Sequence, residues 1–369
     1  MEKWSKLILK ENVVLPDGRD MMTALKSVVR TCLLLFFIPL SYSLHGQRTV
    51  RINASETTAV KLSEIARDAV PIAMEKLPSG VQNVFIAGEY VFLQSISSVL
   101  QYDLTGKFIR NIPCKGYARG ISGDTVKREI YVPAGVTEDD NKIYCYDYSG
   151  KLKRTYRLKG LATGCLFDKG MLWILYARFH DDKTTGLYMS GIDLQTGSDT
   201  GILYERRYGP DLYNGGLRCP ASSSGQLTLH NQTVIASFGY DSVIYRINEQ
   251  KTVPFVAREI SIPAKTLVET RSLYAHGCIG KYLFVNYRRG EQFYVYLEDM
   301  KSKKGYNTKY EEAIADDIFH TGYLKTVHPV NGREGYFYIF KERGEIAANT
   351  VGNIPLKDGP VLFIVKTKQ

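Results

Sequence analysis

Apolar residues in this chain cluster in short runs rather than recurring with a helical period. Arg128-Glu-Ile-Tyr-Val-Pro133, Met171-Leu-Trp-Ile-Leu-Tyr-Ala177, Thr233-Val-Ile-Ala-Ser-Phe238 and Lys281-Tyr-Leu-Phe-Val-Asn286 are short runs rich in aromatic and β-branched residues. Gly, Asn and Asp stand between such runs, which is the pattern of strands joined by tight turns. No long stretch places apolar residues at i, i+3, i+4 and i+7, so helix is expected to be minor. Residues 62–68 and 309–318 are the best helical candidates.

One phrase recurs five times: a strand, then Asp or a polar stand-in, a turn, and a second strand. The copies begin at Ser98-Val-Leu-Gln-Tyr-Asp, Lys142-Ile-Tyr-Cys-Tyr-Asp, Gly186-Leu-Tyr-Met-Ser-Gly, Asp241-Ser-Val-Ile-Tyr-Arg and Glu291-Gln-Phe-Tyr-Val-Tyr. Their strands start near Val99, Ile143, Leu187, Val243 and Phe293, at intervals of 44, 44, 56 and 50 residues. That spacing, with several strands per unit, matches propeller blades. Pro360-Val-Leu-Phe-Ile-Val-Lys366 reads as a sixth copy. The expected fold is therefore all-β: a six-bladed β-propeller of four-stranded antiparallel blades. An N-terminal strand, Val70-Pro-Ile-Ala-Met-Glu75, is placed to close the ring and remove a free edge. Asp103, Asp147 and Asp193 precede Gly-containing turns and read as turn chemistry.

The N-terminus sets the expected compartment. Residues 32–44 form the one strongly apolar run, with Lys26 and Arg30 before it and a polar chain after His45-Gly46-Gln47. This is the form of a secretory signal peptide, and the run is short for a membrane span, which takes about 20 residues. Met21 and Met22 stand at the right distance to start it. The expected division is a non-native extension over residues 1–20, a signal peptide over 21–46 and a single propeller domain over 47–369. The mature protein is then periplasmic or secreted, with no membrane span after cleavage. Five cysteines would remain, Cys114, Cys145, Cys165, Cys219 and Cys278, in a number and spacing that assign no pairs. Cys145, between Tyr144 and Tyr146, reads as a small core residue.

The formal net charge is +10, yet Lys and Arg form no block or stripe, so no nucleic-acid partner is expected. There is no Gly-x-Ser-x-Gly elbow and no phosphate-binding glycine motif. In a propeller, the loops between second and third strands gather with the sheet-to-sheet loops on one face around the channel mouth. The strand reading puts Glu138-Asp139-Asp140, His180, Asp181, Tyr240, Asp241, Arg288 and Arg289 there. The sheet-to-sheet loops would add Tyr117, Arg119, Tyr213, Arg218 and His276. Aromatic, Arg and acidic side chains around a concavity suit a small molecule, a glycan or a protein. No cofactor is expected; calcium is the alternative that the acidic runs leave open, though no EF-hand spacing exists. Trp173 reads as core.

Three stretches resemble exported β-propeller proteins of Bacteroidetes, six-bladed and mostly domains of unknown function. They are Leu62-Ser-Glu-Ile-Ala-Arg-Asp-Ala-Val-Pro-Ile-Ala-Met-Glu75, Gln101-Tyr-Asp-Leu-Thr-Gly-Lys-Phe-Ile-Arg-Asn-Ile112, and Phe238-Gly-Tyr-Asp-Ser-Val-Ile-Tyr-Arg-Ile-Asn248 with Val253-Pro-Phe255. The first-blade loop Cys114-Lys-Gly-Tyr-Ala-Arg-Gly120 departs from the family's Gly-Pro-acidic-aromatic pattern. The resemblance implies an exported propeller and carries no settled activity. The function expected is a non-catalytic ligand- or protein-binding module using its loop-rich channel face. The alternative is a metal-assisted lactonase or hydrolase, or a polysaccharide lyase, with its site at the channel mouth.

Overall fold

The computed structural model describes residues 48–369 apart from 53–54, 56–58, 76, 78–80, 183, 209–224, 239–240, 249–250, 256, 262–270 and 326. The extension and signal peptide expected over residues 1–46 lie outside the described residues.

The repeated phrase folds as a hairpin whose turn is built by its Asp. Asp103 Oδ1 accepts the N–H groups of Thr105 at 2.8 Å and Lys107 at 3.1 Å. Asp147 repeats this with Ser149 at 2.9 Å and Lys151 at 3.0 Å. Asp193 and Asp299 each accept two N–H groups in the same manner. A carboxylate that accepts several donors stays ionised more readily. The Asp147 carboxyl is accordingly held below its usual range, first by the Ser149 hydroxyl.

These hairpins assemble into antiparallel sheets. Sheet 1 contains Asn83–Ala87, Tyr90–Gln94, Ser98–Asp103 and Phe108–Pro113. Sheet 2 contains Glu129–Gly135, Lys142–Asp147 and Leu152–Arg157, with Tyr117–Ala118 and Ser122–Asp124 sharing its inner edge. Sheet 3 runs Leu161–Asp168, Met171–Phe179, Thr185–Asp193 and Tyr204–Tyr208. Sheet 4 runs Gln226–His230, Thr233–Ser237, Ile244–Asn248 and Lys251–Pro254. Sheet 5 runs Arg271–Ile279, Tyr282–Arg289, Gln292–Asp299 and Gly305–Lys309. The closing sheet joins His328–Pro329, Tyr336–Lys341 and Val361–Thr367 to Ala66–Ala73 from the N-terminal side. Val70 there pairs with Ile364, and Ile72 with Leu362.

The fold is a β-propeller of four-stranded antiparallel blades, and the expected count of six needs correction. Among the described residues, seven sheets have three or more strands. The seventh joins Val60–Lys61, Ile314–Asp316 and Gly322–Leu324. It shares one core with sheet 5 and the closing sheet, through Val60, Ile314 and Leu324 with Leu297, Phe337 and Phe363. The repeat could not announce it: its strands are two or three residues long, and one comes from the far N-terminal side. Both helical candidates shrink. Leu62–Ile65 is one short turn before the closing strand, and Tyr310–Glu312 is a 3₁₀ turn.

Packing between sheets supplies the core. Phe85 and Phe92 of sheet 1 meet Tyr144 and Tyr146 of sheet 2. Tyr131 and Cys145 of sheet 2 meet Leu172 and Ile174 of sheet 3. Ile72 and Leu362 of the closing sheet meet Val84 and Val91 of sheet 1, which completes the ring. A fully buried large side chain contributes about 1.5–3 kcal/mol, so these seams outweigh any single turn. Cys145 is buried and free, as are Cys165 and Cys278; Cys114 is free and partly buried, and Cys219 lies outside the described residues.

One end of the central channel is crossed by Asn331, in the turn of the closing sheet between Val330 and Gly335. Its N–H donates to Val84 O of sheet 1 at 3.1 Å. Its amide oxygen accepts from Ser122 Oγ of sheet 2 at 2.7 Å, and its amide nitrogen donates to Cys165 O of sheet 3 at 2.7 Å. Glu334 in the same turn accepts the N–H groups of Asn231 and Gln232 of sheet 4. A single turn thus ties four other sheets together.

Candidate functional site

The opposite end carries the loops between second and third strands and the sheet-to-sheet connections. There the loops are pinned to one another by backbone bonds. Ala118 N–H donates to Ile96 O at 2.7 Å, and Cys114 N–H donates to Ser97 O at 3.0 Å. Glu138 Oε1 accepts the N–H of Phe179 at 2.7 Å, which joins the loop of sheet 2 to that of sheet 3. Held this way, Ile96, Tyr117, Val136 and Phe179 stay exposed across sheets 1–3, Tyr117 at 51 %. Four large apolar side chains are thus exposed on loops at one end of the fold.

Beside Phe179 stands a polar relay. The rings of Tyr176 and Tyr188 stack at 5.4 Å with an interplanar angle of 16°. The Arg178 guanidinium lies 5.6 Å and 5.4 Å from their centroids. His180 Nε2 is 2.8 Å from Tyr188 Oη, which donates to Glu205 Oε1 at 3.2 Å. Arg207 Nε donates to the same oxygen at 2.9 Å and leads the groups that hold the Glu205 carboxyl below its usual range. Cation–π stacking and this relay keep the cationic groups in fixed positions at the rim.

The other expected residues divide by environment. Asp181 is exposed, while Asp140 caps its own loop by accepting from Val136 and Thr137 N–H. Arg119 is half-buried, with its N–H on Pro133 O at 2.9 Å. Arg288 Nε donates to Gly290 O at 2.6 Å, and its guanidinium stands 5.7 Å from the Phe293 ring. Arg289 pairs with Gln292 at the end of the same hairpin. Tyr213, Arg218 and Tyr240 lie outside the described residues.

Two of the expected loop residues are buried instead. Asp241, only 1 % exposed, accepts from Tyr204 Oη at 2.6 Å, Tyr245 Oη at 2.8 Å and Val243 N–H at 3.1 Å, and pairs with Arg206 at 2.7 Å. It fastens sheet 3 to sheet 4 and is not open at the mouth. His276 is in the inner strand Arg271–Ile279 of sheet 5, fully buried, not in a sheet-to-sheet loop. Burial pushes its imidazole down to about 4, and the nearby Asp241 charge opposes that shift. The sequence around it suggests a loop because Gly277 interrupts the alternation, although the strand continues through it.

Among the described residues, no three His, Cys, Asp or Glu side chains stand together as metal ligands. Likewise, no helix among them is long and apolar enough to cross a membrane. Sequence reasoning missed Arg178, Glu205 and Arg207. The signal for Glu205 and Arg207 was faint: a run of three charged residues in Tyr204-Glu-Arg-Arg-Tyr208, a strand that repeats no phrase.

No family model matches the chain, and no curated protein matches it. Solved structures do. A protein of Bacteroides fragilis described as exported is 14 % identical with a TM-score of 0.61, over 88 % of this chain and 99 % of that one. A member of the DUF4221 family from Bacteroides vulgatus is 11 % identical with a TM-score of 0.44, over 82 % of this chain and 97 % of that one. The first likeness is one of fold, and it agrees with the resemblance read from the sequence; the second, below 0.5, supports no further step.

Proposed function

We propose that the chain is an exported β-propeller, periplasmic or secreted, acting as a non-catalytic binding module through its loop-bearing end. The exposed row Ile96, Tyr117, Val136 and Phe179 on mutually pinned loops carries this reading. Apolar and aromatic side chains on pinned loops, with Arg178 and Arg207 on sheet 3 at the same end, suit a protein or ligand that is itself apolar and acidic. Export is supported by the apolar run at residues 32–44 and by the fold likeness to a Bacteroides protein described as exported.

The test is thermal-shift screening against peptides, glycans and divalent cations, comparing the protein with Y117A/F179A. A ligand that raises the melting temperature of the parent but not of the double variant supports the reading. A ligand that stabilises both equally overturns the assignment of this end. A response to calcium alone, reversed by chelator, favours metal-assisted chemistry instead.

A further inference from the structure

Sheets 3 and 4 leave a pocket of about 380 Å³ between them. It lies at the turn end of the strands, away from the pinned loops, since Asp168 ends Leu161–Asp168 and Thr233 begins Thr233–Ser237. Asp168, Trp173 and Arg246 line it, with Val234, Ile247 and Val253 as its apolar part. The Asp168 side chain makes no hydrogen bond or ion pair among the described residues, and burial pushes its carboxyl above the usual range, with the Lys169 charge opposing. Arg246 is exposed and has no carboxylate partner among the described residues; its guanidinium stands 4.5 Å from the Phe255 ring centroid. Trp173 is 8 % exposed, and its indole N–H is buried with no hydrogen-bond partner.

Two opposite charges therefore border one cavity without neutralising each other. Asp168 is a partly buried charge without a partner, a costly state that a ligand of opposite sign offsets, while the exposed Arg246 offers its guanidinium to an anion at the same opening. A neutral sugar leaves both charges uncompensated, a simple amine leaves Arg246, and a simple carboxylate leaves Asp168. We propose that this pocket binds a small zwitterion of the α-amino-acid type, its ammonium at Asp168, its carboxylate at Arg246 and its apolar side chain against Val234, Ile247 and Val253. The volume falls within the range of small-molecule sites, about 300–1,000 Å³, and leaves room for a side chain the size of leucine or phenylalanine.

Trp173 provides the readout, because the chain has two tryptophans, Trp4 and Trp173. In the full chain carrying W4F, Trp173 emission is titrated with leucine, phenylalanine, leucinamide and glucose. A saturable change is expected with leucine or phenylalanine, weakened about tenfold or more in D168N and in R246Q. Leucinamide, which lacks the carboxylate, is expected to bind about as weakly to the parent as leucine does to R246Q. Asp168 makes no bond that D168N would break, so that variant is expected to melt like the parent. The proposal is overturned if neither amino acid changes the emission or melting temperature at millimolar concentration. It is equally overturned if leucinamide or glucose binds as well as leucine, or if both variants bind like the parent.

Discussion

The Tyr204 hydroxyl donates to Asp241 Oδ2 at 2.6 Å and so joins the outer strand of sheet 3 to the loop of sheet 4. The Tyr204 ring also stacks on Phe238 at 4.0 Å with an interplanar angle of 14°. Asp241 is the hub of this seam, because Tyr245 and Arg206 converge on the same carboxylate. Removing one partner of a buried, hydrogen-bonded charge leaves the others uncompensated. D241N should therefore lower the unfolding free energy by about 3 kcal/mol. Y204F keeps the carboxylate with its other partners and should cost about 1 kcal/mol. Denaturant unfolding of both variants decides it. Equal losses would show that Asp241 is an ordinary loop residue.

The buried His276 predicts how stability varies with pH. Its imidazole titrates near 4 in the folded protein, against about 6.5 when unfolded. Between those values the unfolded chain takes up a proton that the folded chain refuses. This contribution is thus complete above about pH 6.5 and lost as pH falls toward 4, on the order of 3 kcal/mol in all. H276Q keeps much of the volume and removes the titration. Between about pH 7.5 and 4.5 the parent should lose more stability than H276Q by most of that amount. Parallel pH dependences in the two proteins would contradict the buried placement.

Local chemistry was legible in the sequence; long-range pairing was not. Asp103 and Asp147 could be read as turn formers because their acceptors act on N–H groups two and four residues away. The closing strand could be read because alternation and an unpaired first segment leave it few other uses, although it begins at Ala66 rather than Val70. The seventh sheet was invisible, since Val60 pairs with Ile314 across most of the chain and neither strand is long enough to show alternation. At the candidate site, Arg288 and Arg289 belong to the strand Tyr282–Arg289 rather than to its loop, and burial was not legible. Asp241 looks like a loop acid in one dimension; its partner Tyr204 comes from the preceding sheet. Trp173 reads as core in the sequence and is buried, yet the pocket beside it depends on how sheets 3 and 4 diverge.

Asn331 closes one end of the channel, and its amide is used at both atoms. N331A removes the bonds to Ser122 Oγ and Cys165 O, so it should cost about 2 kcal/mol at roughly 1 kcal/mol for each bond. N331D retains an acceptor for Ser122 but offers no donor to Cys165 O, and brings two acceptors face to face. It should cost at least as much as N331A. Unfolding midpoints measure both. An N331D protein as stable as the parent would mean that the crossing turn does not bind the sheets together.

Gly106 sits where the first repeated turn meets the closing strand, and two independent costs coincide there. Its φ is +78°, a region that costs L-residues about 1–2 kcal/mol. A Cβ at this position would also stand 2.1 Å from Ala73 O, the end of Ala66–Ala73. That carbonyl cannot retreat cheaply, because the flanking backbone is tied down: Glu75 N–H donates to Gly106 O at 3.0 Å and Met74 N–H to Pro360 O at 3.0 Å. Gly88 provides the control. It has φ +58° in another turn of the same sheet, with nothing within 4 Å of its Cβ position. G88A should cost only the backbone term, about 1 kcal/mol. G106A should cost about 3 kcal/mol or more, since the closing strand must shift or the turn must rearrange. Limited proteolysis should then cut the segment before residue 83 faster in G106A than in G88A, because the strand that closes the ring is the part displaced. If the two variants unfold alike and are cut alike, the contact between the first turn and the closing strand contributes nothing to holding the ring shut.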